Sequence, residues 1–217
     1  EHGHLAGRAA PVGAEAEQVA DRGLGPLDPQ VELVALLRLA HGPSGHGGGW
    51  RVWQALGRAL EAVEGGLADA LAVAVLHDYG AQRGDEVIIP SLSFVATGNA
   101  ILQAGFTPVF VDVDRKTLNI DTAKIEKAVT QKTKAIMPVH LMGKPADMDT
   151  INAIAKKHNL LVIEDAAEAH GAVYKGRNAG SLGDMGAFSL YVAHIISTVE
   201  GGIVTTNNPD FAEVLRS

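Results

Sequence analysis

From residue 84 onward the chain repeats one pattern: a short apolar run, a turn, a stretch of helical spacing, and another apolar run. GDEVIIP (84–90), TPVFVDVD (107–114), KAIMPVH (134–140), LLVIEDA (160–166), GAFSLY (186–191) and GIVTT (202–206) are the runs. Each is too short for a helix of its own, and most are rich in β-branched residues, so each reads as a strand. The runs are close to continuously apolar rather than alternating. A strand of that kind has to be covered on both faces, which points to a largely parallel sheet sandwiched by helices.

The intervening stretches supply those helices. Phe94 to Ala104 predicts a helix stopped by Gly105, and Asp121 is placed to cap one running to about Val129. Asp149 to His158 predicts another, with Asp147 or Asp149 as its cap, and Pro209 opens a last one. In sheets of this class ligands gather at the carboxyl ends of the strands.

Residues 1–82 are of another character. They contain no Lys, Ile, Thr, Phe, Asn or Met and are crowded with Ala, Gly, Leu, Val, Arg and His. The break falls near Gly84. Gln30 to Leu39 and Trp50 to Leu76 have helical spacing, weakened in the second by Gly65-Gly66, while HGPSGHGGGW (41–50) reads as loop. Two readings stay open: a foreign or wrongly framed stretch joined to a genuine domain, or a divergent alanine-rich helical region. The five histidines of this part lack the i, i+4 pairing of a helical metal site and read as solvated surface.

The net charge of −7 over 217 residues argues against a nucleic-acid or anionic-membrane surface. With no cysteine there is neither a disulfide framework nor a thiolate metal site, which suits a cytoplasmic protein. No run approaches the roughly 20 apolar residues that span a bilayer. The expectation is a soluble protein working on small molecules, with no metal.

LVIEDAAEAHGAVYKGR (161–177), SLGDMGAFSLYVAH (181–194) and EGG (200–202) follow in order behind GDEVIIPSLSFVAT and PVFVDVD. Together they resemble the DegT/DnrJ/StrS family of sugar aminotransferases, which depend on pyridoxal phosphate, over about residues 83–217. The resemblance implies the three-layer α/β large domain of the aspartate-aminotransferase type. It also implies a truncated form lacking the small C-terminal domain. Residues 83–217 would then be a partial domain of that kind behind the atypical segment 1–82.

What the resemblance implies for single residues can be set beside what each residue is otherwise. Asp165 matches the aspartate that holds the pyridine nitrogen protonated; alternatively it caps a turn. Phe94 matches the aromatic that stacks on the ring, Ser189 a serine that binds the phosphate; otherwise they are core and a backbone-bonded hydroxyl. Glu168 stands where the family usually has Gln, beside the cofactor hydroxyl, where it could help keep a proton on His194, or it lies on the surface. The family's Ser-Gly-Thr-like phosphate loop has no counterpart in LADALAVAVLHDYGAQ (67–82). His140 and HLMGKPADMD (140–149) read as a strand end and turn, and Lys144 and Lys175 as loop residues.

His194 carries the implied mechanism. The family segment reads Ser-Phe-x-x-x-Lys and then Glu-Gly-Gly, and here the lysine position holds His194. An imidazole, titrating ordinarily near 6.5, can shuttle a proton but cannot condense with an aldehyde. A histidine-bearing subgroup, the 3-dehydratases of nucleotide-linked 4-keto-6-deoxy sugars, has this replacement and uses the amine form, pyridoxamine phosphate, the histidine acting as base. The resemblance thus implies a pyridoxal/pyridoxamine phosphate enzyme of deoxysugar biosynthesis that removes the C3 hydroxyl of such a sugar. The alternatives are a glutamate-to-keto-sugar aminotransferase and a truncated scaffold without catalysis. Homodimers, with glutamate as amino donor, are implied for the intact family member.

Overall fold

The computed structural model describes residues 32–36, 67–198 and 201–216. Among these described residues nine strands run in chain order: β1 Glu32–Leu36, β2 Glu86–Pro90, β3 Thr107–Val111, β4 Thr133–Ile136, β5 Leu161–Asp165, β6 Val173–Tyr174, β7 Arg177–Asn178, β8 Met185–Ser189 and β9 Gly202–Thr206. Five helices accompany them: α1 Leu67–Ala74, α2 Val95–Gln103, α3 Thr122–Ala128, α4 Met148–His158 and α5 Pro209–Arg216. The main sheet has the order β1-β9-β8-β5-β4-β2-β3. Its β3-β2-β4-β5-β8 stretch is parallel throughout, and β9 and β1 are added antiparallel at the β8 edge.

The apolar runs divide between two cores by the two-residue period of a strand. Val87, Ile89, Ala135, Met137 and Ile163 face one side, packed with Leu71, Val75 and Leu76 of the α1 region and with Ile101 of α2. Ile88, Ile136 and Val162 face the other, packed with Ile125 of α3 and Ile151 and Ile154 of α4. Fully burying one such side chain is worth about 1.5–3 kcal/mol, so no strand residue here is spare. This is the both-faces-covered sheet that unbroken apolar runs require.

The helix ends follow their sequence signals. Asp121 accepts the Ala123 N–H, and Asp147 accepts the Thr150 N–H, so Asp147 is the cap of α4. Asn159 closes α4 in the left-handed region at φ 54°, and Gly105 at φ +87° follows α2. A two-residue turn at Lys175 (φ 49°) and Gly176 (φ 84°) joins β6 to β7, the doubly left-handed geometry of a tight hairpin. Tyr-Lys-Gly-Arg carried that signal, although no hairpin is expected from it above.

Two expectations for the first part of the chain meet the structure. Gln30 to Leu39 was expected as helix, yet Glu32–Leu36 is a strand paired antiparallel with β9. A five-residue apolar run has no period of its own to distinguish the two states, and the open edge of β9 supplies a hydrogen-bond ladder. Of the helix expected over Trp50 to Leu76, α1 lies within the described residues and 50–66 outside them, as does Glu200 of EGG. Ala68, Leu71, Ala72, Val73, Val75, Leu76 and Ala81 belong to the same core as β2 and β4. The change of composition near Gly84 therefore does not coincide with an edge of that core.

The seat of α1 explains a glycine. A Cβ at Gly202 would meet the Ala68 Cβ at 2.8 Å and its backbone nitrogen at 2.9 Å, so α1 lies directly on the start of β9. Only glycine on one side and a small residue on the other permit that approach.

Candidate functional site

Reading the strand order against the chain order locates a crevice. From β2 the chain moves outward to β3, then returns across β2 to β4, and continues through β5 to β8. The direction reverses between β2 and β4, and a ligand crevice is expected beyond the carboxyl ends there. A cavity of about 210 Å³ lies at that place. It is lined by Ser93, Phe94 and Thr97 after β2, Val139 and Leu141 after β4, Asp165 and Glu168 after β5, Tyr191 and His194 after β8, and Asp69 from the first turn of α1.

Asp165 forms the polar floor. It is the last residue of β5 and only 4% exposed, and a carboxyl there is tolerable because it is bonded. Thr97 donates its hydroxyl to Asp165 Oδ2 at 2.7 Å, and the Ala167 N–H donates to Oδ1 at 3.2 Å. Since the Thr97 hydroxyl is spent on Asp165, the 2.7 Å contact between Ser93 and Thr97 has Ser93 as donor, giving a relay Ser93 to Thr97 to Asp165. Burial pushes the Asp165 carboxyl above the usual range, against the lowering effect of those hydrogen bonds.

Asp69 is the second buried acid. It is 5% exposed, and no hydrogen bond reaches its carboxyl among the described residues. Burial, and then the charge of Asp165, hold it well above the ordinary carboxylate range. With no hydrogen bond to offset the desolvation of its charge, burial acts on this acid in full.

The remaining expected residues separate. Phe94 is 61% exposed and lines the cavity, so it is not core. His194 lines it too, its N–H bonded to the Tyr191 carbonyl at 3.0 Å in the loop after β8, with the two rings edge-on at 6.4 Å. Glu168 lines the rim and accepts the Met142 N–H at 2.5 Å, tying the loop after β4 to the loop after β5. Ser189 is buried at the end of β8, accepts the Tyr191 N–H at 3.2 Å, and is not among the lining side chains. The cavity thus gathers Phe94, Asp165, Glu168 and His194 and leaves Ser189 behind its wall. Lys144 and Lys175 do not line it; Lys175 is paired with Asp149 on the surface.

His140 sits behind the floor rather than in it. It is fully buried, its Nδ1 accepts the Ala146 N–H at 3.1 Å, and its Nε2 lies 2.8 Å from Glu164 Oε2. With Nδ1 occupied as an acceptor, Nε2 carries the proton and donates it to Glu164. Glu164 also accepts the N–H groups of Gly180, Leu182 and Gly183. Next to Asp165 but on the opposite face of β5, this carboxyl clamps two loops and fixes the strand end that carries the floor.

Reading the sequence missed Asp69, Thr97 and Glu164. Thr97 stands three residues after Phe94 within PSLSFVAT, one helical turn away, and could have been found from that spacing. Asp69 stands out in LADALAVA as the one acid among apolar residues.

The model of the DegT/DnrJ/EryC1/StrS aminotransferase family matches residues 62–217. A GDP-perosamine synthase from Caulobacter vibrioides is 55% identical over 137 residues, 63% of this chain and 37% of that protein. A solved GDP-4-keto-6-deoxymannose-3-dehydratase with a trapped PLP-glutamate geminal diamine is 34% identical, with TM-score 0.65, covering 76% of this chain and 46% of that one. NtdA from Bacillus subtilis with bound cofactor PMP is 38% identical, with TM-score 0.61, covering 70% and 34%. The chain spans well under half the length of the curated relatives it matches, 34–41%.

Proposed function

Given that the chain belongs to the DegT/DnrJ/EryC1/StrS aminotransferase family, we propose that its cavity is the ring-binding part of a pyridoxal/pyridoxamine phosphate site. We further propose that this site serves 3-dehydration of a nucleotide-linked 4-keto-6-deoxy sugar, with His194 as base. The observation that carries the reading is the set of side chains at the carboxyl ends: His194 lines the cavity and no lysine does, among the described residues. Without an amine the site has no group that condenses with an aldehyde, whereas an imidazole can still take and return a proton.

The residues present suit the ring. Asp165 is a buried carboxyl whose two oxygens take one protein donor each, and acceptor capacity toward the cavity remains. It would hold the proton on a pyridine nitrogen, while Phe94 offers an exposed aromatic face to the ring. When bound, such a cofactor supplies an electron sink for the substrate carbon. His194 would remove and redeliver protons beside it, with Glu168 at the rim of the same cavity. A second copy would cover Val95, Met142, Val192 and Ile195, apolar side chains exposed beside the lining residues.

A second reading has its own support. The 55% identical relative is named a synthase of an amino sugar, so amine transfer from glutamate, in a chain that carries His194 where the lysine is expected, is the alternative. The test begins with pyridoxamine 5′-phosphate titrated into the full chain and followed by induced circular dichroism. A saturable signal lost in Asp165→Ala is expected; a wild type without signal refutes the site. His194→Asn should keep the signal and lose dehydration, whereas amine transfer gained by His194→Lys without loss of the native reaction favours the second reading.

A further inference from the structure

His170 stands in the turn between β5 and β6, and both of its ring nitrogens are closed off from solvent and unbonded among the described residues. A neutral imidazole carries one donor and one acceptor, so both are left unmade here. Its ring lies tilted against that of Phe188 at 5.0 Å. Phe188 belongs to an apolar cluster with Ala166, Ala169 and Leu190, and Ile196 packs on that cluster from the loop after β8. The same loop carries His194, and it is tied by two backbone bonds of 3.0 Å, from the His194 N–H to the Tyr191 carbonyl and from the Thr198 N–H to the Leu190 carbonyl. His170 therefore lies in the layer on which His194 is seated. The charges around it oppose a proton. On its own segment Asp165 is bonded by Thr97 and Ala167, and Glu168 by Met142, while β8 and β9 carry no charged side chain. Burial first, and then the like charge of His194, lower the His170 imidazole from its ordinary value. An imidazolium there would have neither a counter-ion nor a hydrogen bond among the described residues, so it forms only by reaching water.

We infer that His170 is a positioning residue for His194: uncharged, it seats the loop after β8 on the Phe188 cluster, and on taking up a proton it unseats that loop and withdraws His194 from the cavity. The loop is the part that yields, because a few backbone bonds and Ile196 hold it, whereas β5 and β8 are paired within the sheet. A group whose folded-state affinity for a proton is lowered contributes stability that is present above its ordinary value and is lost as the pH falls through the lowered one. Acid therefore takes the base out of the site before it unfolds the sheet. That His194 is the base rests on the function proposed above; the seating of its loop does not.

The test is hydrogen exchange of the full chain without cofactor, comparing the amides of residues 190–198 with those of 161–165 after correction for the intrinsic rate at each pH. In the wild type, protection of the loop should fall tenfold or more relative to β5 as the pH is lowered from neutral into the acid range. His170→Phe keeps a ring against Phe188 and cannot charge, so it should hold the protection. His194→Gln should move the loss to higher pH, because the like charge that opposes a proton on His170 is gone. Loop protection that does not change with pH in the wild type, or that is lost alike in His170→Phe, overturns the inference. Should His170→Phe not fold, the wild type and His194→Gln decide the matter: a loss that His194→Gln abolishes or leaves in place overturns it, and a loss moved upward supports it. No cofactor enters these measurements, so a failed titration with pyridoxamine 5′-phosphate refutes the site reading and leaves the seating of the loop standing.

Discussion

Replacing Glu164 tests whether the floor of the cavity is held from behind. Its carboxyl accepts four hydrogen bonds: from His140 Nε2 at 2.8 Å, Gly180 N at 2.8 Å, and Leu182 N and Gly183 N at 2.6 Å each. His140 and Glu164 are both 0% exposed. Leaving a buried donor unmade costs about 1–3 kcal/mol, so four of them would sum to about 4–12 kcal/mol, comparable to the roughly 5–15 kcal/mol a domain has in hand. Water entering the vacated space would recover part of this, and Glu164→Ala is expected to lose roughly 4–6 kcal/mol and to sit near the unfolding threshold. Glu164→Gln is the more useful variant. Its amide nitrogen must face either the Leu182 and Gly183 donors or the Gly180 and His140 donors, which opposes donor to donor on one side. His140 cannot yield by changing tautomer, because its Nδ1 is committed to the Ala146 N–H. Two hydrogen bonds are lost, and about 2–4 kcal/mol with them. Urea unfolding of the full chain followed at 222 nm would read this as a lowered midpoint at unchanged slope. A Glu164→Gln midpoint corresponding to less than about 0.5 kcal/mol would refute the clamp.

Three further outcomes follow from the geometry. Because burial raises the folded-state affinity of Asp69 for its proton, its contribution to stability is fully present below the ordinary carboxylate pKa and is lost as pH rises through the raised value. Asp69→Asn should therefore gain on the wild type progressively as the pH rises above the ordinary carboxylate range in thermal melts, and a pH-independent difference would contradict the assignment. Thr97→Val removes the 2.7 Å hydrogen bond to Asp165, should cost about 1–2 kcal/mol, and should weaken the induced dichroism of bound cofactor without abolishing it; an unchanged titration would exclude the relay. Gly202→Ala should cost about 1–3 kcal/mol by pushing α1 off β9, and Ala68→Gly in the same chain should restore part of the loss; additive effects in denaturant midpoints would argue against the contact.

The local levels of this structure were legible in the sequence. Unbroken apolar runs such as VIIP and LVIE made strands that need two covering layers, and the period of two then divided Val87 and Ile89 from Ile88. Asp121, Asp147, Gly105 and Pro209 marked helix ends by chemistry confined to one turn. Asp165 and Phe94 were singled out by the family resemblance, and they reach the cavity because a strand delivers the residues at its carboxyl end to the sheet edge whatever the order of the strands. Residues 30–39 failed the same treatment, since whether ELVAL becomes a strand depends on the free edge of β9 and on nothing within the run itself.

Tertiary structure decided what these residues meet. The sheet departs from chain order where β3 lies outside β2 and the chain returns across β2 to β4, and in the folded sheet the Thr97 hydroxyl reaches Asp165 across 68 positions and His140 reaches Glu164 across 24. Asp69 shows the distinction most plainly. In sequence it is one acid in an alanine-rich helix, with an ordinary carboxyl; docking α1 on β9 removes it from water and places it in the same cavity as Asp165. Burial and the nearness of another charge are properties of the folded arrangement alone, and they determine the charge of the cavity that holds His194.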